Sequence, residues 1–172
     1  MRTLKFATSD KNQLHFSAAV RKNVNDYFKE KGIPQTANYA MVLQTIVMLS
    51  LYIVPFILIL TIPMNIWVAL GLVIVMGLGT AGIGMSVMHD AVHGSYSRKE
   101  WVNKMFGSSM YLLGSNVFNW KVQHNILHHT NTNIDGFDGD IDSKGPIRLS
   151  HSAPYKKFHR YQHFHAILFY GL

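Results

Sequence analysis

Five histidines within a 41-residue stretch are the part of this sequence richest in chemistry. The stretch opens with HDAVH (His89 to His93) and closes with HNILHH (His124 to His129). Residues four apart share one face of a helix, with Cβ atoms about 5–6 Å apart. His89 with His93, and His124 with His128, are therefore two sets of imidazoles able to grip a metal. His129 stands about 100° further round an ideal helix than His128, so HxxxHH fans three ligands over a broad arc. Such an arc suits a site with more than one metal better than a single closed ion. The chain has no cysteine, so any metal must be held by His, Asp, Glu or water. A zinc protease would show HExxH, with Glu as general base. Asp90, shorter than Glu, follows His89 here, which leaves hydrolysis open. Five histidines nevertheless exceed the three ligands usual for catalytic zinc. A histidine-rich set with open positions suits iron and O₂.

The elements that must position these residues follow from the charge distribution. The 172-residue chain carries 16 Lys and Arg and nine Asp and Glu, and none of them lies in 41–88. A membrane crossing needs about 20 apolar residues. The run therefore predicts two spans, 41–62 and 66–88, joined by Pro63, Met64 and Asn65. Pro55 is expected to kink the first span, which neighbouring helices make tolerable. Gly77, Gly79, Gly82 and Gly84 mark the second as a helix that lets a neighbour approach closely. The turn between the spans has no Lys or Arg, whereas seven precede the first span and nine follow the second. Both ends of the hairpin are thus expected in the cytoplasm, with the first histidine pair where the second span emerges. An apolar stretch starting only near residue 40 is not a secretory signal, so both spans should persist in the mature protein. The net charge of +7 is explained by residues flanking spans, and no RNA-binding signature accompanies it. A nucleic-acid partner is not expected.

The remaining segments are predicted around this hairpin. Phe16, Val20, Val24, Tyr27 and Phe28 recur at helical steps over 13–31, with Gly32 as a stop and Pro34 beyond it. Arg21, Lys22, Lys29 and Lys31 border that helix. It either rests on an anionic membrane face or packs on the protein. Trp101 to Asn119 is broken by Gly107 and Gly114 and reads as an interfacial or re-entrant helix. Residues 120–129 form a short helix carrying the second cluster. An acidic loop, NIDGFDGDID, follows, and the closing AILFYGL looks like the start of a third span.

HDAVHGSYS, followed by NWKVQHNILHHTNTNIDGFDGDID, resembles the first two histidine boxes of the membrane fatty acid desaturases. The likeness is nearest to the front-end, linoleoyl-type members and extends over nearly the whole chain. It implies an all-α membrane fold: a transmembrane hairpin, a cytoplasmic helical cap over 89–165 bearing the boxes, and a third span beginning at 166–172. One desaturase domain would cover 1–172, with 1–40 as its cytoplasmic amphipathic start. The likeness further implies an O₂-dependent enzyme that makes a cis double bond in a fatty acyl chain, as acyl-CoA or phospholipid, at a histidine-ligated di-iron centre. His89, His93, His124, His128 and His129 would be iron ligands. The two electrons would come from a separate b-type cytochrome or ferredoxin, since no haem-binding domain is visible near the N-terminus. The implied setting is a multi-pass protein among membrane lipids, in a bacterial inner membrane, with the boxes facing the cytoplasm.

The chain departs from that pattern in one respect: the third box, H/QxxHH, would lie beyond Leu172. His159 and His163 share the HxxxH spacing but lack the HH pair. They stand among Lys156, Lys157 and Arg160, where a cytoplasmic anchoring segment is the simpler reading. Taken alone, the chain is expected to be inactive and to lack a complete di-iron site. Two tightly bound irons per chain would contradict that. Asp90 either supports a neighbouring imidazole or is a helix-end acid. Among Asp135, Asp138, Asp140 and Asp142, one or two would orient ligand histidines and the rest would be solvated, with Asp138 the favoured residue. Asn119, Trp120, Lys121 and Gln123 flank the second box where substrate would pass, although Trp120 serves equally as an interfacial anchor. Arg98 and Lys99 would meet a substrate phosphate or simply flank the membrane. A related di-iron hydroxylase, ketolase or alkane monooxygenase, or an inactive truncated membrane fragment, remain the alternatives.

Overall fold

A computed structural model of the chain describes residues 11–141 and 146–169. Within these residues the structure is helical and has no strand. The chain falls into two compact units, Met1–Ser115 and Asn116–Leu172.

The first unit begins with α1, Lys11–Lys31. It ends where the sequence places its stop: Gly32 adopts φ 62°, a left-handed turn that glycine enters without a Cβ penalty. The amides of Gly32 and Ile33 donate to the carbonyls of Lys29 and Phe28, closing the helix with a Schellman pair. The apolar side of α1 is exposed, Phe16 most of all at 71%.

Two long helices follow, α2 (Tyr39–Thr61) and α3 (Ile66–Val92). Each starts at an asparagine. The Asn38 side chain accepts the Met41 amide at 3.0 Å, and that of Asn65 accepts Trp67 and Val68 at 3.0 Å each. These caps satisfy amides that a helix start leaves without partners. Both helices are long and apolar enough to cross a membrane. Ile46, Ile53, Ile57, Leu60, Val73, Ile74 and Leu78 are all exposed. In water each such side chain would forgo about 1.5–3 kcal/mol of burial. That cost favours lipid as the surroundings.

Close approach of α2 and α3 depends on two of the four glycines. A Cβ on Gly79 would lie 2.7 Å from the Tyr52 nitrogen and 2.9 Å from the Leu51 carbonyl carbon. A Cβ on Gly82 would collide with the Met48 side chain. Gly77 has nothing within 4 Å, and Gly84 would make ordinary contact with Leu113, so these two are not needed for the crossing. Pro55 lies inside α2 and is buried. It removes the amide partner of the Leu51 carbonyl, in the same turn against which Gly79 packs.

α3 extends past the expected end at Met88. From Ile83 to Met88 it widens into a π-helix, then returns to α geometry for His89–Val92. Ile83, Val87, Met88, Ala91 and Val92 are the buried heart of this unit. Gly94, at φ 74°, ends the helix. α4 (Glu100–Gly107) runs on as a 3₁₀-helix over Ser108–Leu113. The single helix expected over Trp101 to Asn119 is therefore not formed. Gly114 turns left-handed at φ 73°, and Asn116 caps a new helix by accepting the Phe118 amide at 2.8 Å.

The second unit opens with α5, a continuous helical passage over 117–131. It is α over Val117–Trp120, π over Lys121–His128 and α again over His129–Asn131. A loop containing Asn133 (φ 62°) and Gly136 (φ 73°) follows. Beyond it, a 3₁₀-helix at Lys157–Tyr161 leads into α6, Gln162–Phe169. The apolar run read as a third span begins within α6, and its last three residues lie outside the described residues.

Candidate metal centre

The first histidine pair occupies the last turn of α3. His89 and His93 have ring centroids 4.5 Å apart, and the His93 amide donates to the His89 carbonyl at 3.1 Å. What fixes this turn is a set of polar bonds that the sequence did not single out. Asn103 of α4 donates to the carbonyls of Gly94 and Ser97 at 3.3 and 2.7 Å and accepts the Ser97 amide at 2.8 Å. Tyr96, buried, donates its hydroxyl to Thr45 at 2.9 Å, and its carbonyl accepts the Ala37 amide at 3.0 Å. Gly107 would bring a Cβ to 3.2 Å from Val92, so its lack of a side chain lets α4 lie against the end of α3. Asp90 makes only a long 3.4 Å contact with His89 Nδ1. Asp90 mainly serves the backbone, its carbonyl accepting the Ser95 amide at 2.9 Å.

The second cluster lies on α5. His124, His128 and His129 have ring centroids 4.9–5.4 Å apart, and His124 and His129 are close although five residues on an ideal α-helix would carry them about 140° apart. The cause is the π segment, in which the His129 amide donates five residues back to the His124 carbonyl. Single π turns of this kind occur often at functional sites.

The acidic loop closes over this cluster with two of its carboxylates. Asp138 is fully buried and takes His128 Nδ1 at 2.9 and 3.1 Å. It also accepts the amides of Asn133 at 2.8 Å and Asp140 at 3.0 Å. Burial alone pushes the Asp138 pKa up. The hydrogen bonds from His128, Asn133 and Asp140 outweigh it and hold the carboxyl below its ordinary 3.8. Asp140 takes His124 Nδ1 at 3.0 Å and lies 3.5 Å from His128 Nδ1. Atoms of His124, His128 and Asp140 converge within 4.8 Å, compact enough for a cation. The individual separations are hydrogen-bond lengths rather than the ~2.0–2.2 Å of metal bonds. Both imidazoles thus use Nδ1 on a carboxylate, and a metal would be taken through Nε2. Asp135 is exposed, and Asp142 lies outside the described residues. Asp140 was visible in the sequence only as one acid among four. Its spacing of two from Asp138, across Gly139, is the signal that pairs them.

The residues flanking the second box divide. Asn119 and Gln123 line an open cleft of about 480 Å³ with Phe118, Val122, Leu127 and Gly139. Gln123 also donates to Asp140 at 3.3 Å, linking the cleft to the histidine support. Trp120 packs its ring on His124 with centroids 4.7 Å apart, and Lys121 is exposed. Arg98 and Lys99 are exposed. Of the HxxxH pair downstream, His159 is buried and accepts the Lys156 amide at Nδ1 (3.1 Å), whereas His163 is exposed.

Comparison with known proteins agrees with these motifs. A family model for fatty acid desaturase matches residues 65–172. The chain is 35% identical over 148 residues to an sn-1 linoleoyl-lipid 6-desaturase of Arthrospira platensis, covering 86% of this chain and 40% of that protein. It is 32% identical over 171 residues to an acyl-lipid (8-3)-desaturase of Physcomitrium patens, covering 98% of this chain and 35% of that protein. An sn-1 linoleoyl-lipid 6-desaturase of Synechocystis is 31% identical over 150 residues, covering 87% of this chain and 42% of that protein. The chain thus spans well under half the length of these curated relatives. No solved structure matches it.

Proposed function

The chain belongs to the fatty acid desaturase family, and from that premise we propose that its protein is an O₂-dependent membrane acyl desaturase acting at a histidine-ligated di-iron centre. The substrate is a fatty acyl chain, carried on a lipid or on coenzyme A, in which a cis double bond is made. His89, His93, His124, His128 and His129 are the iron ligands this chain contributes. The observation that carries the reading is the support of His128 and His124 by Asp138 and Asp140. Hydrogen bonds of 2.9 and 3.0 Å at Nδ1 fix tautomer and ring direction, as ligand histidines require. When bound, iron supplies the O₂ chemistry that takes hydrogen from an unactivated methylene, which no side chain can do.

The chain's own residues position and orient. Asp138 and Asp140 keep the Nδ1 protons on His128 and His124 and leave the opposite nitrogens to face a metal. Phe118, Val122 and Leu127 offer an acyl chain an apolar wall, while Asn119 and Gln123 give that cleft its polar contacts. The electron donor is a separate b-type cytochrome or ferredoxin. Residues 89–165 form a cytoplasmic cap, and 166–172 begin a third span. The spans lie in a bacterial inner membrane, where the positive-inside rule puts both ends of the hairpin in the cytoplasm.

The test is expression of the full-length gene in a host fed defined fatty acids, with products identified by mass spectrometry. A new unsaturated acid should appear with the native protein and disappear with His89→Ala or His128→Ala. Product that survives both changes would overturn the assignment.

A further inference from the structure

We propose that the segment 156–164 docks on an anionic phospholipid surface, with its aromatic side chains in the interface and its cations on the headgroup phosphates. Three observations within the second unit carry this. Phe158, Tyr161 and Phe164 recur every third residue and are 42, 56 and 74% exposed. Phe158 and Tyr161 lie in the 3₁₀-helix, where residues three apart eclipse and so form one ridge. Tyr161, with a polar tip on an apolar ring, is suited to the headgroup level of a bilayer, and the two phenylalanines bring apolar surface beside it.

Lys156, Lys157 and Arg160 flank the ridge and are exposed. Lys156 lies 5.9 Å from the centre of the Phe158 ring, and Arg160 5.9 Å from that of Tyr161. The nearest other arginine, Arg148, is used elsewhere. Arg148 turns into its own loop, donating to the carbonyls of Ala153 and His151 at 2.7 and 2.5 Å. No Asp or Glu occurs from 146 to 169, so the exposed cations have no acidic partner in that stretch. Positive charge beside exposed aromatic rings is complementary to an anionic lipid surface. The face is also held rigid. Gln162 exchanges two hydrogen bonds with the Arg148 backbone at 2.9 and 3.3 Å, and buried His159 holds the Lys156 amide. The ridge is therefore presented already formed, and little ordering is lost when it docks.

The test uses a single spin label, which the cysteine-free sequence allows at any chosen site. The full chain is labelled at His163→Cys, or at Ser152→Cys as control, and placed in nanodiscs of phosphatidylcholine alone or mixed with phosphatidylglycerol. Collision with lipid-soluble oxygen and with a water-soluble nickel chelate then reports burial in the bilayer. The label at 163 should lie deeper in the interface with phosphatidylglycerol than without it and lose that difference at raised salt, while the label at 152 stays in water. Each cation removed should lower the docked-to-free ratio about fivefold, so that Lys156→Gln, Lys157→Gln and Arg160→Gln together lower it about a hundredfold. Lys156→Arg with Lys157→Arg should leave docking intact, separating charge from folding. Equal water exposure in both lipids would refute the proposal. Equal shielding in both, unchanged in the triple variant, would refute it too, because protein rather than lipid would then cover the segment.

Discussion

Replacing Asp138 by Asn tests the support of the second histidine cluster without changing its shape. The buried carboxylate accepts three donors: His128 Nδ1–H and the amides of Asn133 and Asp140. An asparagine keeps one acceptor oxygen but aims N–H at a donor, so at least one buried donor is left without a partner. That costs about 1–3 kcal/mol. The larger effect falls on His128. Facing an amide N–H, its Nδ1 becomes an acceptor and the proton moves to Nε2, the nitrogen a metal needs. Loss of such a support lowers metal affinity about 10–100-fold. The assay is iron binding by the full-length protein in detergent, measured by chelator competition, with hydrogen exchange at the Asn133 and Asp140 amides as an internal check. Asp138→Asn should bind iron at least tenfold more weakly and exchange both amides faster. The sign of the pH effect follows from the lowered pKa. The native loop keeps its stabilisation above the ordinary 3.8 and loses it as pH falls through the still lower folded value. In Asp138→Asn that acid-dependent step should vanish. Native iron affinity with accelerated amide exchange would show that Asp138 only holds the loop, and the reasoning about His128 would fail.

Two further outcomes follow from the packing and the buried groups. Gly79→Ala should weaken the α2–α3 crossing, because the new Cβ meets backbone that cannot swing aside, whereas Gly77→Ala should be neutral. Survival of the hairpin fold during electrophoresis in mild detergent, compared across the two variants, measures this. His159 is held below its ordinary 6.5 by burial and by neighbouring Lys156, Arg148 and His165, so it folds neutral and the turn loses stability as pH falls below about 6.5. Amide exchange over 156–162 should therefore rise between neutral and mildly acid solution, and His159→Phe should flatten that rise.

What was legible in the sequence was whatever depends on local composition. Residues 41–88 lack charge, and the two long apolar helices expected there are formed by the chain. Gly32 ends α1 where its sequence signal put it, because turn chemistry acts within three or four residues. Asn103 was not legible, because its bonds to Gly94 and Ser97 arise only once α4 has folded back. The same holds for Tyr96, whose partner Thr45 lies 51 positions away. Asp140 was named among four acids but not singled out, for a related reason: in an acidic loop, composition does not say which carboxylates turn inward.

The histidine cluster shows why even a correct periodic reading needed the structure. On an α-helix, five residues advance about 140° beyond a full turn, which would carry His129 well away from His124. Where hydrogen bonds close five residues back, the turn holds about 4.4 residues and the same step leaves only about 50°. The ring separation of 4.9 Å between His124 and His129 fits the second geometry. A change of hydrogen-bond register therefore turns a broad arc of imidazoles into one cluster. A second π segment, Ile83–Met88, immediately precedes His89. The first histidine pair follows a widened turn in regular α geometry, whereas the second cluster lies in the widened segment itself. Widening sacrifices regular α hydrogen bonding, and in the second cluster it brings His129 beside His124, where metal ligands would have to be.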